Sequence, residues 1–345
     1  LNLDEYKFDR GQAELIAFSL GMAELVSYWK CACCPTVEVR CGGLSEWQRL
    51  WWKKLYFNGL GEFFYRNGIT TDFEGFMKIE AHESPEPPKC KPELSGALVP
   101  VGGGKDSVVS LELLKQAGED ITPYIINPRG ATLGCVKAAG LPEGKLAAPT
   151  RTIDKALLEL NSRGYLNGHT PFSAVVAFSA LLHACVLGKK YIVLSNESSA
   201  NETYVEGAQI NHQYSKSTEF ERDFREYCAI SFGNIPEYFS LLRPLSEWQI
   251  AREFVKYPQY FRVFQSCNLG SKTDVWCGKC AKCLYVYVLL AAFLDDDELT
   301  KIFGCNMLEI AELSDMLDGL MLDGEDKPFE CVGTKNEVRL SLKMA

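Results

Sequence analysis

The stretch Ala97–Ser107 reads ALVPVGGGKDS, an apolar run that meets three consecutive glycines, then a lysine, an aspartate and a serine. A short apolar run closed by glycine reads as a buried strand, and Ser107–Gln116 reads as the helix that follows it. A strand that turns at once into a helix commits the chain to a strand–helix–strand plan. The pattern then recurs. ITPYII (Ile121–Ile126) is strand-like and leads to a helix ending near Ala139. KLAAP (Lys145–Pro149) is a weaker strand, followed by a helix at Ile153–Arg163. A long apolar helix, Pro171–Leu187, precedes the strand YIVLS (Tyr191–Ser195). This alternation predicts an α/β fold with a Rossmann-like parallel sheet and helices on both faces. Such sheets bind ligands at the carboxyl ends of their strands, where the glycine turn stands.

The 345 residues allow two domains, or one large one with an appendage. Residues 1–81 read as a small N-terminal domain, with an apolar Ala13–Tyr28 and an aromatic, broadly helical Glu46–Asn67. His82–Gly96 (HESPEPPKCKPELSG) is rich in proline and alternating charge, and marks a linker over 82–96. Residues 97–300 form the α/β domain and 301–345 a C-terminal helical segment. The net charge of −9 and pI of about 5.2 argue against a nucleic-acid partner, which needs a basic footprint. The longest apolar runs, Phe172–Gly188 and Leu284–Leu294, are too short or too interrupted to span a bilayer, and read as buried helices. There is no signal-peptide pattern, so a cytoplasmic location is expected; a start at Leu1 rather than Met indicates a trimmed or cropped N-terminus.

Glycines let a backbone approach a ligand and turn successive N–H groups inward as an anion nest. Ser107 is placed to cap the helix, whose N-terminus favours negative charge, so phosphate is the natural occupant. Two familiar phosphate motifs fail. Walker A requires a glycine five positions before Gly104 and a hydroxyl after Lys105, and G-x-G-x-x-G requires a glycine at Ser107. The turn does resemble the S-G-G-x-D-S loop of the ATP-pyrophosphatases, with Gly103, Gly104, Asp106 and Ser107 matching and Gly102 in place of the first serine. The resemblance implies an adenine nucleotide α-hydrolase-like domain that cuts ATP between its α- and β-phosphates.

Fourteen cysteines are many for a chain of this length, which is not that of a small disulfide scaffold. Cys267, Cys277, Cys280 and Cys283 form C-x9-C-x2-C-x2-C. Four thiolates suit a tetrahedral structural Zn²⁺; an iron–sulfur cluster or four unligated buried thiols are the alternatives. Cys31, Cys33, Cys34 and Cys41 lack ligand spacing. Cys90, Cys135, Cys185, Cys228, Cys305 and Cys331 are scattered and read as small buried hydrophobes.

A pyrophosphate loop followed by this cysteine pattern looks like the 7-cyano-7-deazaguanine synthase branch of these ATPases. Other segments point elsewhere: YFNGLGEFFYRNG (Tyr56–Gly68), NGHTP (Asn167–Pro171), SNESSA (Ser195–Ala200), NHQYSK (Asn211–Lys216), YFSLLRPLSE (Tyr238–Glu247), WCGKCAKC (Trp276–Cys283) and KPFECVG (Lys327–Gly333). Together with Val99–Ser107 they resemble the UDP-N-acetyl-α-D-muramoyl-L-alanyl-L-glutamate epimerase family, from about residue 50 to about 335.

The resemblance implies inversion of the terminal L-glutamate of a cell-wall precursor, a small-molecule substrate, with ATP and Mg²⁺ consumed to AMP and pyrophosphate. Gly102–Ser107 would then grip the phosphates, with Lys105 adding charge and Asp106 helping to hold Mg²⁺. Proton transfer needs groups that titrate near working pH. Of four histidines, His169 in NGHTP and His212 in NHQYSK are the candidates; His82 and His183 read as bland. Glu197, after the strand YIVLS, is placed to bind Mg²⁺ or act as base, and Glu202 lies nearby. Lys216 and Arg243 are candidate holders of substrate carboxylate or phosphate, with a surface salt bridge as the competing reading of each. The rival functions are another ATP-pyrophosphatase, of the nitrile-forming type, and a nucleotide-binding protein without turnover.

Overall fold

A computed structural model describes residues 8–89, 93–202, 210–233 and 235–345. Cys90 and the middle of the proline-rich segment lie outside the described residues. In chain order the elements are α1 (Arg10–Trp29), β1 (Thr36–Gly43), α2 (Glu46–Gly59), α3 (Gly61–Arg66), β2 (Lys78–His82), β3 (Ala97–Pro100), α4 (Lys105–Gln116), β4 (Ile121–Tyr124), α5 (Gly130–Ala138), α6 (Lys155–Ser162), α7 (Phe172–Val186) and β5 (Tyr191–Leu194). They continue with α8 (Thr218–Phe232), β6 (Glu237–Ser240), α9 (Glu247–Phe254), α10 (Ala281–Ala291), α11 (Asp296–Phe303), α12 (Ser314–Met321) and α13 (Lys335–Met344).

The chain divides into two compact units, and neither is continuous in sequence. The first gathers Leu1–Ser95, Arg151–Ile192 and Ile210–Tyr238; the second gathers Gly96–Thr150, Val193–Gln209 and Phe239–Ala345. This division differs from the expected boundaries at 81, 96 and 300. The α6–α7 hairpin and α8, counted above with the α/β domain, belong with the N-terminal residues.

In the first unit, α1 packs on α7 and α8. Asp9 caps α1, its carboxylate accepting from the Gln12 amide at 2.7 Å, and a Ser45/Gln48 capping box starts α2. The core is aromatic. Trp52 stacks on Phe178 at 5.1 Å, Trp51 meets Tyr227 at 4.4 Å, and Phe178 meets Phe224 edge-on at 4.9 Å. Burying such rings supplies most of the apolar area removed from water, and their polar tips find partners. Trp52 Nε1 donates to Tyr227 Oη at 3.1 Å and Tyr56 Oη to the Met22 carbonyl at 2.6 Å. The expected single helix Glu46–Asn67 is two helices, broken at Gly59–Leu60. A Cβ at Gly59 would stand 2.7 Å from Pro171 Cβ, so only glycine lets this corner close against the segment entering α7. A short parallel pair, β1 with β2, was not foreseen; its strands carry mixed charge rather than a clean alternation.

The second unit holds a sheet in the order β4–β3–β5–β6, with the division between units passing through β5 and β6. β3 and β4 pair in parallel, Ala97 opposite Ile121 through Pro100 opposite Tyr124. The fold is α/β with parallel sheets, as the alternation predicts. KLAAP is not a strand: Ala147 makes a lone parallel bridge to Tyr124, because Pro149 ends the run before a ladder can form. In the same unit, α10 is buried on all sides and packs against α9, α11, α12 and α13. Among the described residues no helix is long and apolar enough to cross a membrane.

Candidate functional site

Three distant segments of the first unit converge on one carboxylate. Glu62 lies in the first turn of α3, just past the Gly59 corner, and its side chain is almost wholly buried. His212 Nδ1 meets Glu62 Oε2 at 2.5 Å and His169 Nδ1 meets the same oxygen at 3.3 Å. The other oxygen takes Arg66 Nε at 2.6 Å. The two imidazole rings lie 4.5 Å apart, tilted by 47°. Both rings turn Nδ1 to the carboxylate, which leaves each Nε2 directed elsewhere. Burial pushes Glu62 up, but the hydrogen bond and charge of His212, then His169 and Arg66, hold it below the ordinary carboxylate range. Burial and the repulsion of His212 pull His169 from 6.5 down to about 4; Glu62 opposes them, while Lys30 and Lys216 add to the fall. Lys216, on a single turn at Tyr214–Lys216, is thus near His169, and its ammonium donates to Gln213 Oε1 at 3.3 Å.

The loop that carries His169 is fixed at several points. Asn67 Nδ2 donates to the Asn167 carbonyl at 3.4 Å, and the Gly168 amide donates to Asn167 Oδ1 at 2.8 Å. Gly168 has φ +150°, and a Cβ there would stand 3.2 Å from the Phe63 ring. The loop therefore lies flat on α3, the helix that supplies Glu62.

The glycine turn is in the second unit, between β3 and α4. The order β4–β3–β5 reverses the succession of strands at β3, and a crevice at such a point is where open α/β sheets take ligands. Gly103 has φ +84°, and its carbonyl accepts from the Gln265 amide at 2.7 Å. The helix cap is Gly104, not Ser107. Ser107 sits inside the first turn of α4 and donates to the Gly104 carbonyl at 2.9 Å. Lys105 is the first residue of α4. It is 2% exposed, and its ammonium is held by Asp106 and Glu247. Burial would strip its proton, but the two carboxylates keep it charged. Burial pushes Glu247 up to about 8, with Lys105 opposing and Asp106 and Glu197 adding to the rise. Glu247 in turn donates its backbone N–H to Glu337 at 2.7 Å.

Glu197 belongs to this second unit and the histidine pair to the first. It is buried, and Ser199 Oγ donates to it at 3.4 Å. Arg243 Nη1 donates to the Glu197 carbonyl at 2.7 Å, so its guanidinium braces the segment after β5. Lys327 pairs with Glu202 at 2.8 Å. His82 lies at the end of β2, and His183 Nδ1 bonds the Ser179 carbonyl at 2.7 Å within α7.

The four cysteines of the knuckle converge. Their sulfurs lie within 4.8 Å of one another, with Cys267–Cys280 at 3.7 Å, Cys277–Cys283 at 3.6 Å and Cys280–Cys283 at 3.5 Å. A tetrahedral zinc with Zn–S of about 2.3 Å requires sulfurs about 3.8 Å apart, so the donor set fits one mononuclear ion. A cluster would put its own irons and sulfides between the ligands and spread them further. Gly278, with φ +67°, makes the turn between Cys277 and Cys280. Cys31, Cys135, Cys185 and Cys228 are buried, whereas Cys34 and Cys41 are exposed; all the described cysteines are free of disulfides.

The family model described as the MurL N-terminal domain matches residues 4–241, and the MurL C-terminal domain matches residues 263–345. The chain belongs to the MurL family. It is 37% identical over 328 residues to the UDP-N-acetyl-alpha-D-muramoyl-L-alanyl-L-glutamate epimerase of Xanthomonas oryzae pv. oryzae, covering 92% of this chain and 71% of that one. Proteins of the same name from Micromonospora sp. (37% over 326 residues, 92% and 72%) and Salinispora tropica (38% over 297 residues, 84% and 64%) are similar to it. The MurL N-terminal match spans all three segments that meet at Glu62, and the MurL C-terminal match contains the four cysteines. Sequence reading missed Glu62 and Glu247. Glu62 lies inside the family segment Tyr56–Gly68, but an i, i+4 pair with Arg66 on a helix reads as surface support, and only folding shows it buried.

Proposed function

We propose that this MurL-family chain inverts the terminal L-glutamate of UDP-N-acetylmuramoyl-L-alanyl-L-glutamate to D-glutamate, consuming ATP, and that it works in the cytoplasm on precursors of peptidoglycan. The name borne by its relatives motivates the substrate. The observation that carries the chemistry is the pair of imidazoles on one buried carboxylate.

A free carboxylate makes its α-proton almost unremovable, because deprotonation sets a second negative charge beside the first. Adenylation removes that obstacle. The glutamate oxygen attacks the α-phosphorus of ATP, the bond to the β-phosphate breaks, and pyrophosphate leaves with the electron pair. The glycine turn, of ATP-pyrophosphatase type, offers backbone N–H groups and the α4 N-terminus to those phosphates. Asp106, a quarter exposed while Lys105 takes its Oδ1, is the residue to meet Mg²⁺ there. Lys105 acts from below, holding Asp106 and Glu247 together.

His169 is kept neutral, with Nδ1 turned to Glu62 and Nε2 available to accept the α-proton. Glu62 carries one negative charge, so it balances one imidazolium at a time. At 4.5 Å the rings are too close to hold a carbon between their faces, so the pair takes the α-proton from one side of the substrate; solvent water then delivers a proton to the opposite face of the planar carbanion, which leaves the D centre. Water then adds to the acyl carbon, and AMP leaves with its oxygen. Zinc at Cys267, Cys277, Cys280 and Cys283 supplies no chemistry; when bound it cross-links the start of α10 to the segment before it.

The test is incubation with ATP, Mg²⁺ and the L-glutamate precursor in D₂O. D-Glutamate with one α-deuterium, with AMP formed in step, is expected. AMP without deuterium would keep the adenylating turn and sink the proton transfer. No AMP with any candidate dipeptide would favour nucleotide binding without turnover.

A further inference from the structure

A lysine buried without a counter-charge is rare, because the ammonium loses its hydration. Lys30 is one. It follows the last turn of α1 and is 3% exposed. Its Nζ donates to the Gly168 carbonyl and, at 3.1 Å, to Thr170 Oγ1. Among the described residues no carboxylate lies within ion-pair distance of it. The Phe63 ring lies 5.9 Å away, so Lys30 and Phe63 hold the loop from two sides. Its two acceptors flank a single residue, and that residue is His169.

We propose that Lys30 is the positioning residue of the proton-transfer site: it grips the backbone before His169 and the side chain after it, and leaves its own charge beside that imidazole. The groups facing His169 are Glu62 from α3, His212 and Lys216 from the segment before α8, and Lys30 from α1. Glu62 attracts a proton to the pair and the two lysines oppose it. Burial pulls Lys30 itself down to about 8, which is consistent with an ammonium held for what it does rather than for stability. A carboxylate partner would have cancelled the field that the loop uses. The catalytic half of this inference rests on the function proposed above; the structural half does not.

The experiment is therefore done twice on the whole chain. First, without substrate, ring-¹³C-histidine NMR follows titration of wild type and Lys30→Met, with His169 assigned from the spectrum of His169→Gln. The His169 midpoint is expected to rise from about 4 in Lys30→Met, while His183 stays put. Second, kinetics under the conditions above should show kcat down on the order of 10²-fold, as for a misplaced catalytic group, with KM little changed. Lys30→Arg should keep the titration low but restore kcat only in part, since a planar fork does not fit two acceptors chosen for a point charge. If Lys30→Met does not fold, Thr170→Val removes one acceptor and should give a smaller loss of kcat in the same direction. An unmoved His169 midpoint together with unchanged kcat overturns the proposal. A shifted midpoint in a protein whose wild type shows no epimerisation overturns the assigned function and leaves the positioning role standing.

Discussion

Two buried lysines hold the two candidate regions, and they do it in opposite ways. Lys105, behind the glycine turn, faces the carboxylates of Asp106 and Glu247. Lys30, behind the histidine loop, faces a carbonyl and a hydroxyl. The first charge is spent locally and serves as a rivet. The second is left over, and acts on whatever titrates nearby. A buried cation is therefore not one kind of feature: its partner set decides whether it sets shape or field.

The largest effect that would sharpen this contrast is metal removal. Cys280→Ser, or exhaustive chelation, should cost stability on the order of 10 kcal/mol in the region of the riveted lysine, measured by urea unfolding at fixed zinc. If the chain unfolds at the same urea concentration without metal, the four sulfurs are packing residues only. Next is Lys105→Met. It strands the buried Glu247 and unpairs the quarter-exposed Asp106, and about 3 kcal/mol should be lost, the low end for a broken buried pair because Glu247 can take a proton instead. Lys30→Met strands no charge, only the Gly168 carbonyl and the Thr170 hydroxyl, and should cost about 1 kcal/mol. Equal losses in the two variants would break the comparison.

A smaller effect concerns acid. His169 titrates near 4 when folded and near 6.5 when not, so between these values the unfolded chain binds the extra proton. Stability should fall as pH drops from 6.5 towards 4. Glu62, depressed in the fold, adds a loss in the same direction, from its ordinary carboxylate range downward. His169→Gln should flatten the upper part of that decline in urea midpoints recorded against pH; an unchanged slope would show that the site does not hold the ring neutral. The smallest effect is expected at the turn itself. A Cβ at Gly102 meets nothing within 4 Å. Gly102→Ser, which restores the residue usual in such loops, should change stability by less than about 0.5 kcal/mol and leave nucleotide binding equal or tighter by calorimetry.

How much of this was legible follows from chain distance. The glycine turn and the cysteine knuckle are short contiguous patterns, and their types and places could be read directly. So could β3, α4, β4 and α7, because their apolar periods and bounding glycines agree with what they pack against. The histidines were nominated from local context, but their meeting needed residues 62, 169 and 212 to be brought together by a unit assembled from three chain segments. No period in the sequence encodes that. The burial of Lys105 is hidden for a related reason: in a phosphate-loop pattern a lysine reads as a ligand, and its burial depends on Glu247, which lies far along the chain. KLAAP failed as a strand because one proline outweighed three good residues. Glu197 is read from its place after the strand YIVLS, but its contact with Arg243, 46 residues on, is not visible in any local pattern.

The hydrogen bond from the Glu247 amide to Glu337 has a consequence for the order of events during synthesis. Lys105 and its glycines leave the ribosome before the rest of their site: Glu247, which helps to fix Lys105, is itself fixed by a helix about 230 residues further along. At about 5–20 residues per second that is roughly ten to fifty seconds. For that interval the nascent turn carries a lysine paired at most with the neighbouring Asp106. The glycine turn is thus made well before the contacts that lock it.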